Sequence, residues 1–359
     1  MNWIGCRSIL IIRPDNMGDL IMSSPAIKAL KQTFNCRITA LTSELAAEAA
    51  SLIPEIDETI AVSVPWVKTA KTLDPVEFMQ LAEYLKSRNF DACVIFTVYS
   101  QNPLPAAMLA WMAKIPKRLA YCRENPYDLI NNWIPDQEPY SYILHQVERD
   151  LNLVKHVGAS VNNEDITLLV PTQAYDIVRE KLNEIIPDQP DYIIFHAGVS
   201  ELKRAYPLEM WIELAKQIHE QSGFPILFTG SAHEKPLTNK LQEETGEIGH
   251  SVAGVFNISE LAALISMSRL LVSVNTGPVH IAAGLKTPVI VLYAQTNPQH
   301  TPWKTNSRIF EFSVNSSIRS KNEVIGYVNR TIYKHRLPYP EVSEIAQSAH
   351  SLLSWDLVP

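Results

Sequence analysis

Two hydrophobic periods alternate along the chain. Ser8–Arg13 (SILIIR) is a continuous apolar run, the pattern of a strand buried on both faces of a parallel sheet. Residues 25–34 (PAIKALKQTF) then place apolar side chains at helical spacing, with Pro25 near the predicted helix start. The alternation continues with a strand over 36–41, a helix over 43–52, a strand over 58–62, a helix over 75–87 and a strand over 92–97. An unusually apolar helix is predicted over 104–115 (LPAAMLAWMAKI), then a polar, aromatic loop to about 142 and a helix over 145–157. Residues 161–190 are polar and Pro-bounded, which predicts a domain boundary. A second series follows: strand 192–196, helix 208–221, strand 225–229, helices 234–245 and 259–267, strand 270–274, helix 279–285 and strand 289–293.

Strands alternating with helices of this length predict an α/β fold with parallel sheets covered by helices on both faces. At 359 residues the chain has room for two such domains. Two in tandem leave a cleft, and ligands of parallel sheets gather at the carboxyl ends of the strands. Charge narrows the partners: 31 Lys and Arg against 38 Asp and Glu give a net charge of −7, with no basic stripe. Nucleic acid is not an expected partner. The 4 cysteines, Cys6, Cys36, Cys93 and Cys122, are far apart and have no His at ligand spacing. They read as small apolar residues of a reducing compartment, and no metal site is expected. No apolar run is long enough to span a bilayer, and the N-terminal residues lack a signal-peptide pattern, so a cytoplasmic location is expected.

Four segments carry candidate chemistry. In the first, residues 13–20 (RPDNMGDL), a strand ends in a turn and Asp19 stands at or just before a helix. A carboxylate there can serve as a general base or can simply cap the helix, and spacing does not separate the two. Asp15 competes for the same role from an earlier turn position. In the second, residues 196–204 (HAGVSELKR), backbone amides around Gly198 can approach a phosphate, and Lys203 can neutralise a diphosphate. A solvated Lys203–Arg204 pair is the plainer reading. In the third, residues 273–280 (SVNTGPVH), Thr276 caps a helix with an early Pro278, and the free amides make an anion site with His280 one turn in. In the fourth, residues 228–234 (FTGSAHE), a strand ends in a turn at Gly230, and Glu234 suits either a ribose diol or the helix dipole. The 104–115 helix reads as core in preference to a membrane- or acceptor-facing element. Lys68, Lys71, Arg118 and Arg123 are candidate contacts for an anionic acceptor, although exposed basic residues usually hold nothing specific.

Taken in this order, the pieces resemble the heptosyltransferases of glycosyltransferase family 9, which build the inner core of bacterial lipopolysaccharide. The match runs from "ILIIRPDNMGDLIMSSPAIKALK" through "HQVERDLNLVKHVG" and "FHAGVSELKRAYPLEMWIEL" to "VSVNTGPVHIAAGLKTPVIVLY", most of residues 8–295. The resemblance implies the GT-B architecture: two Rossmann-like domains facing across a cleft, with a C-terminal helix returning to the first. The implied divisions are an acceptor-binding domain over 1–172, a donor-binding domain over 173–338 and a helix over 339–359 that packs back on the first domain. Asp19, in the pair Gly18-Asp19, falls on the family's catalytic base. Lys203 falls on the lysine at the donor phosphates, Glu234 on the acid at the donor ribose, and Thr276, Gly277 and His280 on the phosphate-binding turn. With these go Gly18, His196, Gly198, Arg204, Gly230 and Asn275 as the expected donor-binding set. This chain departs from the family in having Asn275 where Asp is usual, Gly198 and Val199 for small hydroxyl residues, and Ala205-Tyr206 between Arg204 and Pro207. The last change lets Lys203 and Arg204 exchange roles.

The implied reaction is inverting transfer of a heptose from ADP-heptose to a glycolipid or oligosaccharide hydroxyl. Asp19 takes the acceptor proton, Lys203 and the amides at Thr276–Gly277 meet the leaving diphosphate, and neither metal nor cofactor is needed. A monomer is expected, with a peripheral contact to the inner face of the cytoplasmic membrane allowed by the acceptor class. Two other classes stay open: a GT-B enzyme using another nucleotide sugar for O-antigen, capsule or secondary-metabolite glycosylation, and a non-catalytic nucleotide-sugar-binding protein.

Overall fold

The computed structural model describes residues 3–68, 73–187, 191–315, 320 and 322–355. It divides into two compact units, Met1–Leu169 with Asn322–Val328, and Val170–Lys321 with Asn329–Pro359. In the first, the elements are β1 (Ser8–Arg13), α1 (Met17–Phe34), β2 (Arg37–Thr42), α2 (Glu44–Ala50), β3 (Glu58–Ala61) and α3 (Pro75–Ser87). They continue with β4 (Ala92–Ile95), α4 (Leu104–Met112), β5 (Lys117–Cys122), β6 (Asn132–Pro135) and α5 (Gln146–Lys155). Six strands pair in parallel in the order β3-β2-β1-β4-β5-β6. Central β1 is apolar throughout, and Ile9 to Ile12 are fully buried.

The second unit holds α6 (Thr172–Ile185), β7 (Ile193–His196), α7 (Leu208–Ser222), β8 (Ile226–Phe228), α8 (Lys235–Thr245), β9 (Gly249–Ser251) and α9 (Ile258–Met267). After these come β10 (Leu270–Val274), α10 (Gly277–Leu285), β11 (Val289–Ala294), β12 (Ser307–Phe312), α11 (Glu323–Thr331), whose residues up to Val328 group with the first unit, and α12 (Val342–Trp355). Its six parallel strands run β12-β11-β10-β7-β8-β9, the same doubly wound order. In each sheet the chain reverses direction of winding beside its first strand, between β1 and β4 and between β7 and β10. Loops leave such a switch point in opposite directions, which opens a crevice at the strand carboxyl ends.

Several expectations change. The helix expected from residue 25 begins at Met17, and Pro25 lies inside it. A proline costs about 3 kcal/mol in a helix interior, but Gly18 through Ile27 are all buried, and that packing outweighs the lost bond. The "loop" up to 142 contains β5 and β6. Lys117 and Arg118 disguise the start of β5, whose Leu119 to Cys122 are buried, and β6 is a four-residue edge strand ending in Pro135. The polar boundary segment contains α6, and β9, β12 and α11 were also outside the expected set. The last helix groups with the second unit. Ile345, Ala346, Ala349, Leu352 and Leu353 join Trp211, Leu214, Ala215 and Ile218 of α7 in the second unit's core, because their apolar spacing matches that helix's buried face. Residues 322–328 are the C-terminal segment that groups with the first unit.

The helix α4 is split between roles. Ala106, Ala107, Leu109 and Ala110 are buried, whereas Met108 and Trp111 are exposed on the other face. Among the described residues no helix is long and apolar enough to cross a membrane. All four cysteines are buried, as apolar packing requires.

Candidate active site

At the switch point of the first sheet, β1 ends in a fully buried arginine, Arg13. Its Nη2 lies 3.3 Å from Asp19 Oδ1 and its Nε 3.4 Å from Asp15 Oδ2. Asn16 caps α1, and Asp19 is the third helical residue, so the Asn16 amide donates to Asp19 Oδ2 at 3.3 Å. The reciprocal carboxylate of this capping box and the expected base are therefore one residue, Asp19. From the loop after β4, Gln101 Nε2 donates to Asp15 Oδ1 at 2.5 Å, tying together the two loops that diverge from the switch point. Burial raises the Asp15 carboxyl to about 6, against the opposing pull of Arg13.

A polar layer beneath this loop comes from α5. Ser23 Oγ donates to Asp150 Oδ2 at 2.7 Å, and Gln146 Nε2 to Asp150 Oδ1 at 2.8 Å. Arg149 grips Asp136 with two bonds of 2.9 and 3.0 Å, also binds Glu138, donates from Nε to the Thr97 carbonyl at 2.9 Å and lies over the Tyr121 ring. Such bidentate, buried pairs fix geometry more than they add stability. None of Arg13, Gln101, Asp136, Glu138, Arg149 or Asp150 had been singled out. The signal for Asp150 was available: it sits three residues after Val147 and four before Val154, on the apolar stripe of α5.

In the second sheet, the switch point carries three of the four motifs. His196 ends β7, is buried, and its Nδ1 lies 3.0 Å from Thr229 Oγ1 at the end of β8. Burial lowers its pKa, with Glu234 acting in the opposite sense, so the imidazole is neutral at pH 7. Glu234 Oε2 accepts from the Ser231 amide at 2.6 Å and from Ser231 Oγ at 2.9 Å. Its carboxylate is packed over Gly198 and Gly230, so both glycines and the acid form one surface. Glu201 pairs with Lys203 Nζ at 3.0 Å and lies 3.7 Å from Arg204 Nη2. Arg204 reaches further: its Nη1 donates to the Asn275 carbonyl at 3.3 Å, tying the 196–204 loop to the turn after β10.

That turn leads into α10 with Thr276 extended at the cap, Gly277 first in the helix and Pro278 next. The first-turn amides of a helix lack intrahelical acceptors and favour an anion. Asn275 Nδ2 donates to Thr296 Oγ1 at 3.3 Å, and Asn275 Oδ1 is buried without a hydrogen-bond partner among the described residues. His280 is buried one turn in, its ring 6.3 Å from that of His300. Thus His196, Gly198, Gly230 and Glu234 gather at the ends of β7 and β8, while Arg204, Asn275, Thr276 and Gly277 gather at the neighbouring ends of β7 and β10.

The acceptor candidates fare differently. Arg118 is buried and spends its guanidinium on backbone carbonyls: Leu129 at 2.9 Å, Asp128 at 2.6 Å and Ile115. It closes the turn between α4 and β6 and is not available to an acceptor, which corrects that expectation. Arg123 likewise donates to the carbonyls of Glu138, at 2.6 Å, and Tyr99, and lies 3.5 Å from Asp136. Its carbonyl bonds shape the loop that carries Glu138. Lys68 is exposed, and Lys71 lies outside the described residues.

Comparison with known proteins decides the family. Residues 78–325 match the model of glycosyltransferase family 9 (heptosyltransferase). The chain belongs to glycosyltransferase family 9. It is 27% identical over 310 residues to lipooligosaccharide heptosyltransferase 2 of Haemophilus influenzae, covering 82% of this chain and 85% of that one. Against lipopolysaccharide heptosyltransferase 2 of Escherichia coli it is 25% identical, covering 82% and 84%. A family 9 glycosyltransferase of Veillonella parvula shares the fold over 98% of each chain, with a TM-score of 0.80 at 18% identity. Escherichia coli ADP-heptose heptosyltransferase II superposes with a TM-score of 0.74 at 20% identity, covering 98% and 100%. The two Rossmann-like sheets are those of this GT-B family, and the chain is a glycosyltransferase.

Proposed function

We propose that this family 9 enzyme transfers heptose from ADP-heptose to a hydroxyl of a lipopolysaccharide-core acceptor, with inversion at the anomeric carbon. The observation that carries the reading is Asp19: a carboxylate at the first switch point, held by Arg13, in a chain whose relatives are heptosyltransferases. An Escherichia coli heptosyltransferase of the same fold, with a TM-score of 0.65, is known with ADP-2-deoxy-2-fluoro heptose bound, which supports the choice of donor.

Asp19 accepts the proton of the acceptor hydroxyl as that oxygen attacks the anomeric carbon. The bond from that carbon to the diphosphate oxygen breaks, and ADP leaves with the electron pair. The charge that grows on the diphosphate falls to Lys203, Arg204 and the Gly277 amide. Glu201 and the Asn275 carbonyl hold Arg204 toward the turn, whereas Lys203, paired with partly exposed Glu201, is the cation that swings onto phosphate. Glu234 accepts the ribose hydroxyls with the carboxylate edge that Ser231 leaves open. Neutral Asn275 is a poor ligand for a hard cation, so activity persists in excess chelator.

The test is transfer from ADP-heptose, measured by mass spectrometry of the acceptor, against UDP-, GDP- and other ADP-sugars. Heptose addition from ADP-heptose with a change of anomeric configuration is expected. A preferred donor of another base or sugar would overturn the reading.

A further inference from the structure

Asp15 and Asp19 each hold one oxygen against a neutral donor and the other toward the same guanidinium. Asp19 Oδ2 takes the Asn16 amide at 3.3 Å, and Asp15 Oδ1 takes Gln101 Nε2 at 2.5 Å. The remaining oxygens face Arg13, at 3.3 Å from Nη2 and 3.4 Å from Nε. Arg13 has no exposed surface at all. A buried guanidinium is costly unless carboxylates surround it, and this one sits one residue from the loop that presents the base. We propose that Arg13 is a positioning residue for the transfer step: its planar fork, aimed by Asp15, turns the Asp19 carboxylate toward the acceptor and keeps it ionised. The inference rests on Asp19 being the base.

The charged groups around Asp19 come from three elements. Arg13 is on β1, Asp15 on the loop, and Asp150 and Arg149 on α5, where Ser23 links Asp150 to α1. The acids of α2, Glu44 and Glu48, are exposed to solvent. Arg13 is a cation in direct contact with the base, and Asp15 an anion that competes for it. Removing either moves the base in opposite directions, which a merely structural role would not do. A lysine cannot replace the fork, because a point charge cannot bridge two carboxylates in fixed planes.

The experiment is kcat across pH 4 to 9 with saturating ADP-heptose and acceptor, alongside calorimetric ADP binding and thermal melting, for Arg13→Gln, Arg13→Lys, Asp15→Asn and Asp19→Asn. Loss of an adjacent opposite charge shifts a carboxyl by about 1–3 pH units. In Arg13→Gln the acid limb of kcat is expected to move up by at least about one unit, with kcat at pH 7 falling about 10- to 100-fold and ADP affinity unchanged. In Arg13→Lys the limb returns toward its original position while the kcat plateau stays low. In Asp15→Asn the limb moves down, the one shift that survives even if both Arg13 variants fail to fold. Unmoved limbs in Arg13→Gln or Asp15→Asn, with Asp19→Asn inactive, overturn the inference and leave the base in place. Full turnover in Asp19→Asn overturns both.

Discussion

A β-carbon placed on Gly198 would lie 2.0 Å from Oε1 of Glu234. The glycine is there because the carboxylate occupies the space a side chain would need, and its backbone is not in the left-handed region. The obstacle is the flexible end of a side chain, so Gly198→Ala pushes Glu234 aside and leaves the sheet intact. The expected outcome is a melting temperature within about 2 °C of wild type and a donor KM raised about 10-fold, a loss of one to two hydrogen bonds to a charged group. An unchanged KM in steady-state kinetics would separate Glu234 from the donor.

Asp19→Asn keeps the shape of the carboxylate and its cap position but cannot take a proton. Turnover should fall by roughly 10²–10⁴-fold, the usual weight of a positioned base, with ADP affinity nearly unchanged by calorimetry. Near-normal turnover would move the role to Asp15.

Lys203 and Arg204 separate by what else each holds. Lys203→Ala removes a half-exposed cation whose pair with Glu201 contributes little to folding. ADP affinity should drop about 10-fold or more, with melting unchanged. Arg204→Ala also removes the bond to the Asn275 carbonyl, so affinity and melting temperature fall together. Calorimetry paired with melting curves reads both, and an Arg204→Ala protein with normal stability would show that the turn stands without it.

Burial raises the Asp150 carboxyl to about 6, above the roughly 3.9 of an unfolded chain. Between these values the folded state binds the extra proton, so stability is full below about pH 4 and is lost as pH rises through about 6. Asp15 shifts in the same direction for the same cause. Asp150→Asn has nothing to titrate, and its melting temperature should fall less between pH 4.5 and 7.5 than that of the wild type. Parallel curves for the two proteins would remove Asp150 from the pH dependence.

Local sequence spoke clearly wherever one physical requirement acted alone. The apolar runs of β1, β4, β7, β10 and β11 are legible because a strand covered on both faces has no other solution. The turns after β1, β7, β8 and β10 are legible because glycine, proline and capping residues are needed where the chain reverses at a strand end. Edge strands such as β6, β9 and β12 were hidden, since one side meets water and the apolar signal is halved.

Read alone, the pattern along the chain specifies two parallel α/β domains, the order of the site loops and the residue types each presents, but not the order of the strands within each sheet. It left Asp19 undecided between cap and base because both roles use the same carboxylate at the same helical position. What surrounds that carboxylate is set by packing. Arg13 and Asp15, Gln101, and Asp150 lie on segments far apart in the chain, and the order β2-β1-β4-β5 together with the docking of α5 on α1 brings them together. The same holds for Arg118, whose charge suggested an anion until the fold placed it beneath three carbonyls. A side chain's charge is local, but its partner is chosen by packing, and packing joins residues the chain keeps far apart.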